Sequence, residues 1–500
     1  MIRKKAVVAA LAAATVIAAA GMASAAASGA FTSAQGTADA AAHSPRGPKN
    51  VIFFLGDGMG TQEITAARYY QGVNHKLNVD RARYTGFDTT WSVKTAPTPP
   101  YKPDYDPDSA STGSSWATGR KTIDERISQG PSSAENVPGT NYQTVLELAQ
   151  KRGLKVGNVS TAEITDATPA VLASHISLRG CQGPADMANC ATETKAAGGL
   201  GSIAEQEVDH KVDVLLGGGR GRFEQQITGG PYAGKTVVDQ AKAKGIQYVT
   251  DADGLKAARS GKPVLGLFSK GNMSLEWAGP AASLGKGNAP ESCKENQRPS
   301  NEPSLADMTS KAIDLLENKK GFFLQVEGAS IDKQDHATNA CGQIGETVNF
   351  DRAVGVALDY QRSHPDTLVV VTADHAHTSQ IVGEDASGTG LPTGWSTNLT
   401  TKDGQTLTLT YGTAGFGGDG KAPVATPPSQ QHTGAVVPVW PTARAARKSS
   451  APTTTPTSST SSRASNPGDV HGPWSLSGTG GRWSSSRFRM LDAAGRCKMG

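Results

Sequence analysis

A chain of 500 residues with 37% hydrophobic and 19% charged side chains has the size of one large α/β domain with insertions. Its formal net charge of +4 is uneven: the last 60 residues carry nine Lys or Arg against two Asp or Glu, and residues 1–25 add three basic side chains and no acidic one. The body between them is therefore net acidic, which leaves no electrostatic footprint for nucleic acid and excludes nucleic-acid binding as the expected role.

Residues 1–25 read as a secretory signal peptide. Arg3, Lys4 and Lys5 precede an apolar run over 6–20, and Ala23, Ser24 and Ala25 supply the small residues that cleavage needs. The run is short for a membrane span, and no later segment approaches ~18 consecutive apolar residues. The mature chain is thus expected to be secreted, extracytoplasmic and free of the membrane. Residues 26–48, rich in Ala, Ser and Gly, are expected to be a disordered spacer.

From Asn50 onward strand and helix alternate. An apolar strand over 51–55 ends in Gly56, Asp57 and Gly58. A helical pattern over 142–152 feeds a strand over 155–159, and a strand over 212–216 ends in three glycines. Helical stretches over 304–317 and 350–361 precede strands over 321–326 and 368–372. Continuous apolar strands separated by helices predict an α/β three-layer sandwich: a large, mostly parallel central sheet with helices on both faces. The weakly alternating run over 405–411 suits an edge strand or a hairpin arm. Beyond Trp440 the composition turns to Ser, Thr, Pro, Arg and Gly without apolar periodicity, which predicts disorder. The chain thus divides into a folded domain over 49–440 and a tail over 441–500.

Among the five cysteines, Cys181, Cys190, Cys293 and Cys341 suggest two disulfides in an exported chain, although spacing leaves the pairing open. With no Cys-x-x-Cys pair, a cysteine zinc cluster is the poorer assignment. Cys497 is left over in the tail.

Ligands of open parallel sheets bind beyond the carboxyl ends of the strands. Asp57 follows the first strand there, Asp166 and Thr168 lie past the second, Glu327 follows 321–326, and Asp374 and His375 follow 368–372. Any one such aspartate is commonly a helix cap. Four strand ends together are not, and converging carboxylates repel one another unless a divalent cation neutralises them. Asp332 and His336, four apart, share a helix face and suit zinc. His375 and His377 flank Ala376, so that one of them suffices as a ligand. His432 is a lone loop histidine, a kind that is usually just exposed to solvent and carries no weight by itself.

Asp57–Gly60, Asp108–Ala110, Asp166–Pro169, Val326–His336, Thr372–His377 and His432–Gly434, in that order across about 50–439, resemble the bacterial alkaline phosphatases. The Val326–His336 and Ala373–His377 runs are the specific ones. The resemblance implies hydrolysis of phosphate monoesters through a phosphorylated Ser109, with two zinc ions and one magnesium ion. It implies that Asp332, His336 and His432 hold one zinc, and that Asp57, Asp374 and His375 hold the other. Magnesium would take Asp57, Thr168 and Glu327, with Asp166 reaching it less directly. Arg179 would bind phosphate, Lys333 would contact it through water, and the disulfides would pair Cys181 with Cys190 and Cys293 with Cys341. A homodimer is also implied.

These roles have physical reasons. A serine hydroxyl is a weak nucleophile until its alkoxide is favoured, and two metals can clamp attacking and leaving oxygens in line. A planar guanidinium grips two phosphoryl oxygens where an ammonium cannot. The Ser/Cys-x-Pro-x-Arg site of sulfatases is absent after Ser109. A related phosphodiesterase and a secreted metal- or phosphate-binding protein of impaired catalysis stay as alternatives. The family pattern continues past Val439 to a Gly-Pro turn and a closing amphipathic helix, where this chain has its Ser/Thr/Pro/Arg tail. A shifted reading frame over about 441–500 is the expectation that this departure raises, against a true linker and small module.

Overall fold

The computed structural model describes residues 47–384, 394–414, 429–442 and 474–475. The expected signal over 1–25, nearly all of the spacer over 26–48, and the tail save four residues lie outside the described residues.

The strands that build the main sheet are β1 (Asn50–Gly56), β2 (Gly86–Thr89), β3 (Lys155–Glu163), β4 (Val214–Gly218), β5 (Gln247–Val249), β6 (Val264–Leu267), β7 (Phe322–Gly328), β8 (Thr367–Ala373) and β9 (Val436–Pro441). The helices that matter below are α1 (Thr61–Tyr70), α2 (Ser109–Thr118), α3 (Val145–Lys151), α4 (Ala167–Ala173), α5 (Ile203–Asp209), α6 (Leu305–Leu316), α7 (Ser330–His336) and α8 (Ala340–Ser363).

Across the sheet the order is β2-β9-β8-β1-β7-β3-β4-β6-β5, with Trp474–Ser475 paired to the outer side of β2. The seven strands from β8 to β5 are parallel, and β9 and β2 add antiparallel pairs at one edge. In β1, Val51, Phe53 and Leu55 enter one core and Ile52 and Phe54 the other. A strand whose successive side chains are apolar has two faces to bury. Ala110 and Ala117 of α2, Leu146 of α3, Leu172 of α4 and Ile203 of α5 fill the first core. Ile64 of α1, Met308 and Ile313 of α6, and Phe350 and Val354 of α8 fill the second. The expected three-layer α/β sandwich is what the chain forms.

The differences are local. β3 continues past residue 159 to Glu163 because Ser160 and Thr161 are buried polar residues, which an apolar run does not flag. The run over 405–411 is a hairpin arm but no edge: 406–411 pairs with 395–400 on one side and 379–382 on the other. β9 carries the chain beyond the expected boundary at 440, for Pro441 pairs with Val370 and the Thr442 amide donates to the Val369 carbonyl at 3.0 Å. Disulfides join Cys181 to Cys190 and Cys293 to Cys341. Among the described residues no helix is long and apolar enough to cross a membrane.

Candidate metal centre and nucleophile

Three adjacent strands, β8, β1 and β7, end at one level because they are in parallel register: Gly56 lies beside Ala373 and Gly328. Asp57, Asp374 and Glu327 are thereby placed together by the sheet itself. The Gly58 amide donates to Asp374 Oδ1 at 2.9 Å. Gly58 has φ +66°, and a Cβ there would stand 2.6 Å from the His377 ring, so glycine is required on both counts.

Ser109 opens α2, whose N-cap Asp108 accepts from the Ser111 amide at 2.9 Å. The buried Ser109 Oγ lies 3.2 Å from His375 Nε2 and 3.4 Å from Asp57 Oδ1. His375 Nε2 stands 3.4 Å from both Asp57 Oδ1 and Asp374 Oδ2. Asp57, Asp374 and His375 are therefore one cluster able to hold an ion.

A second cluster lies beside it, made of Asp332, His336, His377 and His432. His336 Nε2 and His432 Nε2 are each 3.3 Å from Asp332 Oδ1 and 3.0 Å from one another. The helical spacing of Asp332 and His336 on α7 delivers the first two, and pairing of His377 with His432 in a short bridge delivers the loop histidine. His336 and His432 both turn Nδ1 to main-chain carbonyls, of Gln430 at 2.5 Å and of Pro107 at 3.1 Å. That contact fixes the tautomer and aims Nε2 inward.

The third group is Thr168 with Glu327, behind Asp166. Glu327 Oε2 accepts from Ser160 Oγ at 2.5 Å, and Thr168 Oγ1 is buried without a hydrogen-bond partner. Asp166 caps α4 and accepts from Lys333 Nζ at 2.7 Å and Arg179 Nη2 at 3.0 Å; Arg179 Nη1 also holds Asp108 at 3.2 Å. All twelve expected site residues thus meet at one end of the sheet.

The donors fit cations. Burial, and after it Asp374, Asp332 and Glu327, raises the Asp57 carboxyl well above the usual range. Burial likewise lifts Asp374 to about 6 and Glu327 to about 8, and lowers His375 well below its ordinary value. Asp374 Oδ2, His375 Nδ1 and Thr168 Oγ1 are all buried without hydrogen bonds. Divalent ions remove that cost. The nitrogen-containing clusters suit zinc, and the all-oxygen group suits magnesium. At Asp166 burial raises the carboxyl, but Lys333 and Arg179 outweigh it and hold the group ionised.

In the sequence His377 figures only as an alternative to His375, Ser160 is passed over, and Asp108 enters only as part of a motif. His377 Nε2 lies 2.6 Å from Asp332 Oδ1 and positions it. Ser160 serves Glu327 from a strand position where serine carries no signal. Asp108, visible next to the serine, doubles as helix cap and Arg179 partner.

Residues 48–422 match the family model for alkaline phosphatase. The chain is 46% identical over 406 residues to streptomycin-6-phosphate phosphatase of Streptomyces griseus, covering 79% of this chain and 85% of that one. It is 45% identical over 404 residues to the alkaline phosphatase of Escherichia coli K12, covering 78% and 80%. The solved alkaline phosphatase of the Antarctic bacterium TAB5 shares the fold, with a TM-score of 0.53 at 21% identity over 79% of this chain and 92% of that one.

Proposed function

The chain belongs to the alkaline phosphatase family, hydrolysing phosphate monoesters in a metal-dependent way, and on that premise we propose how its residues divide the work. Ser109 Oγ attacks phosphorus, the ester P–O bond breaks, the alcohol leaves, and phosphorylated Ser109 remains. Water then attacks the phosphoserine from the opposite side, releasing inorganic phosphate and restoring the hydroxyl. The observation that carries this assignment is the place of Ser109 Oγ: at a helix N-terminus, within 3.4 Å of Asp57 and His375, with Arg179 tied to the preceding residue.

Arg179 grips two phosphoryl oxygens, and Asp108 and Asp166 hold its guanidinium plane in place beforehand. Lys333, restrained by Asp166, faces the same phosphoryl group through water. One zinc ion would be held by Asp332, His336 and His432, another by Asp57, Asp374 and His375, and magnesium by Asp57, Thr168 and Glu327, with Asp166 behind it. When bound, these ions supply Lewis-acid polarisation of the attacking and leaving oxygens. His377 keeps Asp332 oriented. A signal over 1–25, a spacer over 26–48 ahead of a domain from 49, export beyond the cytoplasm and a homodimer belong to the same proposal, and the two disulfides support the export. So does a shifted frame in the tail, which sequencing the gene around the Trp440 codon tests.

A cleft of about 600 Å³ shares Asp108 with this centre and is lined by Asp124, Glu125, Glu135 and Asp186. Asp108 and Asp186 are paired with Arg179 and Arg222, and the remaining Asp124, Glu125 and Glu135 favour alcohols bearing positive charge. The test of the core assignment is quenching with labelled monoester: Ser109→Ala is expected to yield no labelled phosphoprotein and to lose most turnover while keeping its zinc. Unchanged steady-state rates in that variant would remove Ser109 from the mechanism. Rates on a monoester and a diester of one alcohol separate the phosphodiesterase alternative.

A further inference from the structure

Glu147, His175 and His210 come together about a helix layer that the mechanism above does not use. Glu147 lies on α3, where one carboxylate oxygen, Oε2, accepts the Thr144 amide at 3.0 Å and closes the helix cap. Its other oxygen, Oε1, is 3.1 Å from His175 Nε2 and 3.3 Å from His210 Nε2. His175 follows α4, and His210 is the C-cap of α5.

The far nitrogens decide what this arrangement is. His175 Nδ1 faces the Ser128 carbonyl at 3.0 Å, and His210 Nδ1 faces the Ala173 carbonyl at 2.5 Å. A carbonyl oxygen accepts and never donates, so both Nδ1 atoms carry the hydrogen. In neutral imidazoles each Nε2 then presents a lone pair. With both rings neutral, two nitrogen lone pairs and one carboxylate oxygen converge with no donor among them, which is a geometry for a cation; with the rings protonated the same contacts are Nε2–H donations to Glu147.

The same construction occurs at Asp332, His336 and His432, where both Nε2 atoms lie 3.3 Å from one carboxylate oxygen and both Nδ1 atoms face main-chain carbonyls. Zinc bonds of ~2.0–2.1 Å in a tetrahedron set ligand atoms about 3.3 Å apart, the spacing found here. Side-chain exposures of 20% for Glu147 and 26% for His210 leave one side open to a fourth ligand from solvent.

We propose that Glu147, His175 and His210 bind a further zinc ion, separate from the catalytic centre, which clamps α3, α5 and the segment leading from α4 to Arg179. The clamp bears on the phosphate side of the centre through backbone: Ile176 bridges Ile127, and the Arg179 amide donates to the Glu125 carbonyl at 2.8 Å. The role is structural, because Ser109 and its neighbours touch none of the three ligands.

The test is metal counting on the full-length enzyme. Wild type and His210→Gln are equilibrated with zinc and magnesium, freed of loose ions, and analysed for zinc per chain by mass spectrometry. Wild type is expected to hold one more zinc equivalent than His210→Gln, with equal kcat on a monoester, and cobalt exchange is expected to show one fewer tetrahedral absorption component in the variant. Equal zinc content in the two proteins overturns the site. Should His210→Gln fail to fold, wild-type crystals decide: an anomalous peak at the zinc edge among the three ligand atoms upholds the proposal. No peak at saturating zinc overturns it in favour of a proton-bridged His-Glu-His group.

Discussion

At Arg179 the two carboxylates that hold the guanidinium also mean that its loss leaves charges behind. Arg179→Ala is expected to weaken inhibition by inorganic phosphate about 30-fold, the equivalent of ~2 kcal/mol for a charge-assisted pair, with zinc content unchanged. Phosphate inhibition equal to wild type would show that the side chain points elsewhere during turnover. A different residue governs pH behaviour away from the centre. Glu346 is buried in α8, its Oε1 accepts the Glu276 amide at 2.9 Å, and burial raises its carboxyl from 4.5 to about 8. Between those values the native chain keeps a proton that the unfolded chain has released, so this group makes stability fall as pH rises through the window. The slope is at most ~1.4 kcal/mol per pH unit. Glu346→Gln keeps the acceptor and removes the titration. Urea unfolding is expected to show less loss of stability between about pH 5 and about pH 8 in the variant, and parallel curves would contradict it.

At the scale of elements, strand ends organise the site, and loops must fit tightly around them. Gly60 caps α1, and a Cβ there would stand 2.4 Å from Ala376 Cβ, between the two histidines His375 and His377. Gly60→Ala is expected to cost ~1–3 kcal/mol in unfolding measurements and to weaken zinc retention together with it. A variant as stable and as zinc-loaded as wild type would mean the loop yields freely. The parallel strands were legible because β1, β7 and β8 are apolar along their length, and the strand-end carboxylates were legible because each follows such a run. α8 was legible in its second half alone. Its first half buries Gln343, Glu346, Thr347 and Asn349 alongside Ile344 and Val348, so no apolar stripe marks it. The contacts of His377 with Asp332 and of Ser160 with Glu327 escaped for a related reason: each side chain acts on another, and partners distant in sequence leave no spacing to read. The Glu147, His175 and His210 group escaped for the same reason, since its members sit on three separate turns.

At the scale of the whole molecule, eight protein ligands are proposed for the three ions of the centre, from Asp57, Thr168, Glu327, Asp332, His336, Asp374, His375 and His432. A ligand that binds the native state at a thousand times its dissociation constant adds ~4 kcal/mol to unfolding. Chelation is therefore expected to lower Tm and activity together in calorimetry and monoester assays, with both restored by zinc and magnesium together. A Tm indifferent to chelator would detach the metals from the fold.

β1, made near the start of the domain, lies in register between β7 and β8, which are synthesised hundreds of residues later. Such distant pairings are closed slowly, because the loop entropy precedes the contacts that reward it. During synthesis the first aspartate of the centre waits unpaired until its neighbours arrive, and His432 arrives later still. A chain that ends short of residue 432 therefore lacks one corner of the Asp332, His336 and His432 cluster, whatever else has folded.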